Sequence, residues 1–373
     1  MRELLRDFRI RRLLLANITG SVGSGITIIA VPWLLVQRPS GDRLYGYLTV
    51  LTTMALFLLV PYYGSWLDRC SRKFALLAAE TFGAIISITM AAWIGLTGTT
   101  ATWQLLVLYT GGMLYYTLHF PAKFAFIQQI FERRHYQQLM GLMEVQGQTA
   151  SMLSGGLASL MLEHVPFYTI ILFDAATYVF SFLVQSTLPY VADHLAAART
   201  TDSAWTSLGE GLRWMRDRPK FTLFVGCTLA PFVAVMTGNY LFPIYVQQIL
   251  QASAAVYGRG EMVFALGALL AGFVGPSLVQ RLTAGHVALG MMAIFVVGLA
   301  ILGGLQSVAA FYVALLLLGL GNAGTRVARG TLVMHEVPNA IMGRVNVVIF
   351  TIDRLLRTLM QFAAIYVVIH ANS

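Results

Sequence analysis

Charge is scarce in this chain: only 11% of its 373 residues are Asp, Glu, Lys or Arg, where a soluble domain carries roughly 25%. So little charge cannot clothe a water-exposed fold of this size, which sets aside a soluble enzyme as a class. Cysteine is nearly absent as well. Cys70 falls in a short polar turn and Cys227 within an apolar run, so neither a disulfide framework nor a Cys-x-x-Cys metal site is expected. The chain also lacks a Walker-type phosphate loop and a His-Glu-x-x-His pattern, removing nucleotide drive and zinc hydrolysis from the candidates. No cofactor and no metal are expected, and the chain is not read as an enzyme.

Long apolar runs are what the sequence has in quantity. Hydrophobic residues make up 57% of it and the mean hydropathy is +0.71. A run of about 20 apolar residues spans a bilayer. Eleven such spans are predicted, at about 12–37, 45–67, 72–97, 103–130, 138–162, 167–188, 221–250, 256–280, 285–306, 309–334 and 344–370. Arg2, Arg6, Arg9, Arg11 and Arg12 lead straight into the first of these. That run is too long for the apolar core of a signal peptide, so no cleavable leader is expected.

A net charge of +9 would suit nucleic acid if it were spread along one face, but the cations cluster in alternate loops. Of the 25 Lys and Arg, about seventeen fall on one side: the N-terminus, 69–73, Arg133/Arg134, 189–220, Arg281 and Arg344. The opposite loops hold Arg38, Arg43 and Arg259. That asymmetry predicts a cytoplasmic N-terminus in a multi-pass plasma membrane protein, with the bacterial inner membrane as its setting. Nucleic acid is not an expected partner. The lipid bilayer is, and the chain is read as a monomer.

Residues 1–190 are predicted to form a six-helix bundle and 221–373 a five-helix one. The intervening 191–220 is read as a cytoplasmic amphipathic linker, with Trp205, Leu208, Leu212 and Met215 at helical spacing and its apolar face on the inner membrane surface. The two bundles share landmarks. Pro32 and Pro243 close a span in each, Tyr45-Gly46 and Tyr257-Gly258 follow, and Arg69 and Arg281 stand 24 residues after each Tyr. Gln280 takes the place of Asp68, and Met140-Gly141 matches Met342-Gly343. Such repeats are a transporter architecture.

The densest polar turn between spans is Gly64-Ser65-Trp66-Leu67-Asp68-Arg69-Cys70-Ser71-Arg72-Lys73. Its Gly-x-x-x-Asp-Arg-x-x-Arg-Lys spacing resembles the signature loop between helices 2 and 3 of the major facilitator superfamily. Ser21-Val22-Gly23-Ser24-Gly25, Ala30-Val31-Pro32-Trp33, Pro121-Ala122-Lys123 and Gly343-Arg344-Val345-Asn346 resemble its transmembrane secretion effector branch, which holds macrolide efflux proteins and siderophore exporters such as the enterobactin exporter.

The resemblance implies an all-α fold of two pseudo-symmetric bundles rocking about a central cavity, usually driven by protons. Helices 1, 2, 4, 5, 7, 8, 10 and 11 line that cavity in the family. It further implies that Gly64, Asp68, Arg69, Arg72 and Lys73 form a conformational latch, with Asp68 as its acid. Two departures stand out. Many drug/proton antiporters carry Gly-Pro-x-x-Gly-Gly in helix 5, whereas Ser154-Gly155-Gly156-Leu157-Ala158 has no proline. The twelfth helix of the family is expected to be absent, through truncation or as a natural variant.

Charge inside a span persists only when paired or functional, because an isolated ion at mid-bilayer costs roughly 2.5–3.5 kcal/mol even on insertion scales. The last span carries Asp353, Arg354 and Arg357; Asp353 and Arg357 are an i,i+4 pair in the favourable order. They read either as a proton or substrate-anion site or as a self-neutralised pair. Asn322, Arg326 and Arg329 share one face of the tenth span, and His119 and Lys123 lie on the fourth. Together these would line a cavity suited to a carboxylate or phosphate; the alternatives are snorkelling for Lys123 and Arg329 and plain packing for His119.

Glu80 and Asp174 are read as structural. Glu144 and Glu261 are either gates or solvated groups. Tyr115, Tyr116, Tyr240, Phe242 and Tyr245 either stack on an aromatic solute or pack. The function expected is proton-coupled export of a small siderophore-like or drug-like solute, that is, antiport or multidrug efflux. Import, or an inactive transporter-like scaffold, are the alternatives.

Overall fold

A computed structural model describes residues 6–131, 136–190, 204–338 and 342–371. Among them the chain is helical throughout, with twelve α-helices, one π segment and no strand. The first six are α1 (Phe8–Val36), α2 (Gly41–Arg69), α3 (Arg72–Thr97), α4 (Thr102–Ile130), α5 (Tyr136–His164) and α6 (Phe167–Ser186). Then come a short α7 (Ala204–Arg216), α8 (Pro219–Ile244) with a π turn at Tyr245–Ile249, α9 (Ala254–Arg281), α10 (Ala284–Gly304), α11 (Val308–Glu336) and α12 (Met342–Ala371).

The helix ends are written in the sequence. The Asp7 carboxylate accepts the Arg9 backbone N–H at 2.8 Å and caps α1. The Arg9 guanidinium bonds the same carboxylate and holds it below the usual carboxylate range. Ser71, Thr283 and Ser307 cap α3, α10 and α11 in the same way. Gly98 closes α3 at φ +66°, a left-handed conformation that a residue without Cβ adopts freely. Pro219 sits in the first turn of α8, where its missing N–H costs nothing. Pro32, Pro121, Pro231 and Pro243 lie inside helices, as membrane helices tolerate; the π turn begins two residues after Pro243.

Seven helical stretches are long and apolar enough to cross a membrane: α1, α3, α6, α8 with its π turn, the front of α9, α10 and α11. The eleven-span count therefore goes beyond what hydropathy of the described helices supports. α2, α4, α5 and α12 are just as long but richer in polar and aromatic residues. The distribution of side chains is that of a protein in lipid. Glu80, Asp174, Gln185 and Asp353 are buried, while Leu96, Leu289 and Val296 are exposed. In hydrocarbon, polar groups must find partners inside the protein.

The contacts divide the chain into two compact units, one of Met1–Arg199 with Ser253–Met262 and the other of Thr200–Ala252 with Val263–Ser373. In the first unit α1 packs against both α5 and α6, and α3 lies against α4 and α6. Small residues permit this. A Cβ on Gly23 would lie 2.0 Å from Thr177 Oγ1 of α6, and one on Gly25 2.3 Å from Ser154 Oγ of α5. The Ser21–Gly25 stretch is thus the strip along which α1 slots between its neighbours. A Cβ on Gly155 would lie 2.6 Å from the carbonyl oxygen of Gly258, so α5 and the first turns of α9 cross backbone to backbone.

In the second unit α10 and α11 form the most extensive pair. α7 belongs to this unit and docks on α12: Met215 is buried with Phe221, Val225, Val345 and Val348, and Glu210 pairs with Arg344. The amphipathic face expected to lie on lipid is therefore partly spent on protein. Leu212 remains exposed, and the side chains of Trp205 and Leu208 lie outside the described residues.

Candidate functional site

Each unit carries its own buried polar cluster. In the first unit one face of α3 presents Glu80, Gly83 and Ser87, and one face of α6 presents Asp174, Tyr178, Ser181 and Gln185. Steps of three and four residues put each set on a single stripe.

Glu80, 1% exposed, is surrounded by donors. Gln185 Nε2 donates to its Oε1 at 3.0 Å, the Tyr115 hydroxyl reaches its Oε2 at 3.5 Å, and His119 Nδ1 lies 3.2 Å from Oε1. The His119 contact is close in distance but lacks hydrogen-bond alignment. Tyr115 packs against both the His119 ring and Tyr178. Lys123, on the same helix as His119, is buried, with its ammonium 5.5 Å from the centre of the Phe120 ring. His119 and Lys123 thus belong to one cluster whose centre is Glu80, a residue that the sequence suggests is merely structural.

Asp174 lies on the same stripe of α6 as Gln185, and its surroundings are different. Thr27 Oγ1 of α1 donates to its Oδ2 at 2.9 Å and Ser87 Oγ of α3 at 3.3 Å. A narrow cavity opens beside it, walled by Ser24 and Val31 of α1, Ile86 of α3, and Tyr109 and Gly112 of α4.

The second unit gathers the other expected residues. Asn322 is buried on α11, one turn before Arg326 and two before Arg329. Arg329 Nη1 donates to the carbonyl oxygen of Thr228 on α8 at 2.6 Å. On α12 Asp353 is 4% exposed and accepts from Arg357 Nη2, while the Arg357 guanidinium stands 5.3 Å over the Phe232 ring of α8. Arg354 lies one residue from Asp353, and Arg329 is within electrostatic range of both Arg326 and Asp353. Asp353 Oδ1, Arg357 Nε and, one turn further on, Gln361 Oε1 are buried without hydrogen-bond partners. Among the described residues Arg329, Arg354 and Arg357 outnumber the one aspartate of this cluster. The spacing of Asp353, Arg357 and Gln361 would have flagged the glutamine too.

The remaining expectations scatter. Arg72 Nη1 donates to the carbonyl oxygen of Ala125 at 3.0 Å, and Lys73 Nζ to those of Ser186 and Leu188, both at 2.6 Å. These two cations staple the start of α3 to the ends of α4 and α6, capping α6 carbonyls in the manner of a cation at a helix C-terminus. The side chains of Gly64, Asp68 and Arg69, of Glu144, Gln280 and His370, and residues 133 and 134 altogether, lie outside the described residues. Tyr245 donates to the Leu302 carbonyl oxygen, Tyr240 is buried, and Phe242 packs edge-on to Phe311. Of the aromatic candidates, Tyr116 is half exposed. Glu163, past the end of the fifth predicted span, bonds Ser253, which holds its carboxyl below the usual range.

Helices that are apolar outward and charged inward define a multi-pass membrane protein with polar sites at span depth. The sequence profile of the Major Facilitator Superfamily matches residues 13–359. The chain belongs to that superfamily and is by class a secondary transporter, embedded in a membrane.

An uncharacterised transporter of the same type from Bacillus subtilis (strain 168), YfiS, is 23% identical over 345 residues, 89% of this chain and 80% of that protein. Among solved structures, a variant of the nucleoside transporter NupG superposes with a TM-score of 0.71 at 12% identity, covering 97% of this chain and 91% of that one. A bacterial homologue of the iron transporter ferroportin, inward-facing, gives 0.69 at 14% over 95% and 90%. A D-xylose-proton symporter gives 0.69 at 14% over 94% and 89%. At these identities the structures establish the shared fold.

Proposed function

We propose that the chain exports a small anionic or amphiphilic organic solute, a siderophore-like carboxylate being one example, by alternating access coupled to protons. The observation that carries this reading is the cationic surplus, among the described residues of α11 and α12, of Arg329, Arg354 and Arg357 over Asp353. Arginine forks bind carboxylates and phosphates through paired, charge-assisted hydrogen bonds, which are strongest away from water. Asn322, with a buried and unpartnered Oδ1, supplies a neutral polar contact on the same face of α11. Proton drive is supported by the buried carboxylates of the first unit and by the proton coupling named for the sugar symporter of the same fold. The direction rests on the stretches that resemble secretion effectors. We read α2, α4, α5 and α12 as spanning too, which makes eleven crossings, in two bundles bounded at 190 and 221 with the N-terminus cytoplasmic in a bacterial inner membrane.

The test is a panel of carboxylate, phosphate, cationic and neutral solutes in everted vesicles with a pH-sensitive dye. Carboxylates are expected to release protons from the vesicle lumen as they are taken up. Proton flux in the opposite sense would turn the reading to import, and none with any solute would leave a scaffold.

In this reading Asp68 is the latch of the 64–73 turn. Arg72 and Lys73 are already spent on α4 and α6, which leaves the acid to serve as the latch in this proposal. Asp68→Asn, giving up a charge-assisted hydrogen bond of about 1.5–3 kcal/mol, is expected to slow turnover roughly tenfold or more with normal amounts of folded protein. Unchanged turnover would remove the latch.

A further inference from the structure

Two buried acids of the first unit have opposite surroundings, and the difference assigns them roles. Glu80 is met by Gln185, Tyr115 and the His119 ring, with the Lys123 ammonium near enough to act on its charge. It is a compensated carboxylate. Asp174 is equally buried, at 1% exposed, and receives only two neutral hydroxyls, both on Oδ2. Its Oδ1 has no partner and the residue lines the cavity between α1, α3, α4 and α6.

The groups facing it are the hydroxyls of Ser24 and Thr27 from α1; Ser87 and, two turns along, Glu80 from α3; Tyr109 and Tyr115 from α4; and Tyr178 one turn away on α6. Among the described residues no cationic side chain pairs with Asp174. An ionised carboxylate so placed would bear a desolvation penalty of several kcal/mol with nothing to offset it, and Glu80 adds repulsion.

We propose that Asp174 is a proton-binding site: it holds a proton on Oδ1 in this conformation and releases it to water admitted to the cavity. The exchange is a simple one, carboxylic acid and water giving carboxylate and hydronium. The cavity suits a proton better than a metal ion. It has room for about one water, and hard cations ask for about six oxygen ligands, whereas the walls here include Val31, Ile86 and Gly112. Helix α6 is not a helix the family resemblance assigns to its cavity. As the proton's binding place the assignment rests on the proton-coupled reading above, and the experiment separates the two.

The full chain is reconstituted in lipid and its infrared spectrum followed with pH, reading the carbonyl stretch of protonated carboxylic acids. One such band is expected to be lost in Asp174→Asn, kept in Glu80→Gln, and shifted in Ser87→Ala and Thr27→Val, which remove donors to Oδ2 without removing the acid. In everted vesicles Asp174→Asn is expected to lose about tenfold or more of uphill transport while solute exchange persists.

A spectrum unchanged by Asp174→Asn, or a band that never titrates, overturns the assignment. Wild-type proton flux in Asp174→Asn overturns it too and leaves coupling standing. A titrating band in a protein that moves no proton with any solute upholds the site and removes the proton-coupled reading. Should Asp174→Asn fail to fold, Asp174→Glu and Ser87→Ala carry the spectroscopic test, and bands identical to wild type in both would overturn the proposal.

Discussion

Asp353→Asn is expected to cost the fold about 3–5 kcal/mol, Arg357→Gln less, and the two together little. The pair sits on α12 with both partners turned inward, the aspartate 5% and the arginine 22% exposed at their side chains. Removing one member of a buried pair strands the other charge, whereas removing both leaves neutral groups of similar size. The asymmetry comes from the neighbours. Without Arg357, Asp353 still has Arg354 and Arg329 within electrostatic range; without Asp353, the described residues of the cluster are arginines with no acid among them.

Thermal unfolding in detergent and yield of folded protein read the stability, and vesicle assays read the transport. Recovery in the double variant identifies a self-neutralised pair. If Asp353→Asn instead folds normally, loses proton coupling alone and gains nothing from Arg357→Gln, then Asp353 carries the proton and the role assigned to Asp174 has a competitor.

Much of the fold is legible in the sequence, because bilayer physics leaves few choices. Helix ends at Asp7, Ser71, Gly98, Pro219 and Ser307 follow from capping chemistry, and the long apolar runs admit only helices. The glycines are legible as markers but not as mechanics. That Gly23 faces Thr177 and Gly155 faces Gly258 depends on which helices meet, and apolar periodicity carries little of that information when both faces of a helix are greasy. The amphipathic pattern at 204–216 is likewise real, yet the sequence cannot say that Met215 meets Val225 and Val348 before it meets lipid.

The candidate sites divide along the same line. Asp353 and Arg357 are legible because they are i,i+4 on one helix, so local geometry alone pairs them. Lys73 and Arg72 are legible as charges, but their partners are backbone carbonyls at the ends of other helices, a class of acceptor that no residue type announces. Glu80 and Asp174 are visible only as isolated acids. Their stripes, Glu80-Gly83-Ser87 and Asp174-Tyr178-Ser181-Gln185, are periodic in the sequence. They are passed over because the family resemblance assigns helices 3 and 6 to the periphery. The charge inside a bundle can matter as much as the charge facing a central cavity.

The second large effect concerns the scaffold beneath the arginines. A Cβ on Gly319 of α11 would lie 2.0 Å from the Phe264 carbonyl oxygen of α9, and one on Gly267 of α9 would lie 2.2 Å from the Leu316 carbonyl oxygen of α11. Each glycine thus meets backbone, which has no rotamer with which to yield. Helices in lipid are held by such close packing rather than by a hydrophobic drive. Gly319→Leu is therefore expected to lose about 3 kcal/mol or more, at the upper end of what overpacking costs, read as a fall in unfolding temperature and in monodisperse yield.

Gly290→Ala, on an open face of α10 with nothing within 4 Å, is the control. It is expected to be neutral or to gain up to about 1 kcal/mol from helix propensity. Gly267→Ala and Gly319→Ala together should cost less than their sum, because either one alone already parts the same crossing. Asn322, Arg326 and Arg329 begin one turn beyond Gly319 on the same helix, so parting α9 from α11 moves the basic face as well. Solute affinity is expected to fall in whatever fraction of Gly319→Ala still folds. Normal affinity in that fraction would mean that the arginines are positioned by α8 and α12 alone.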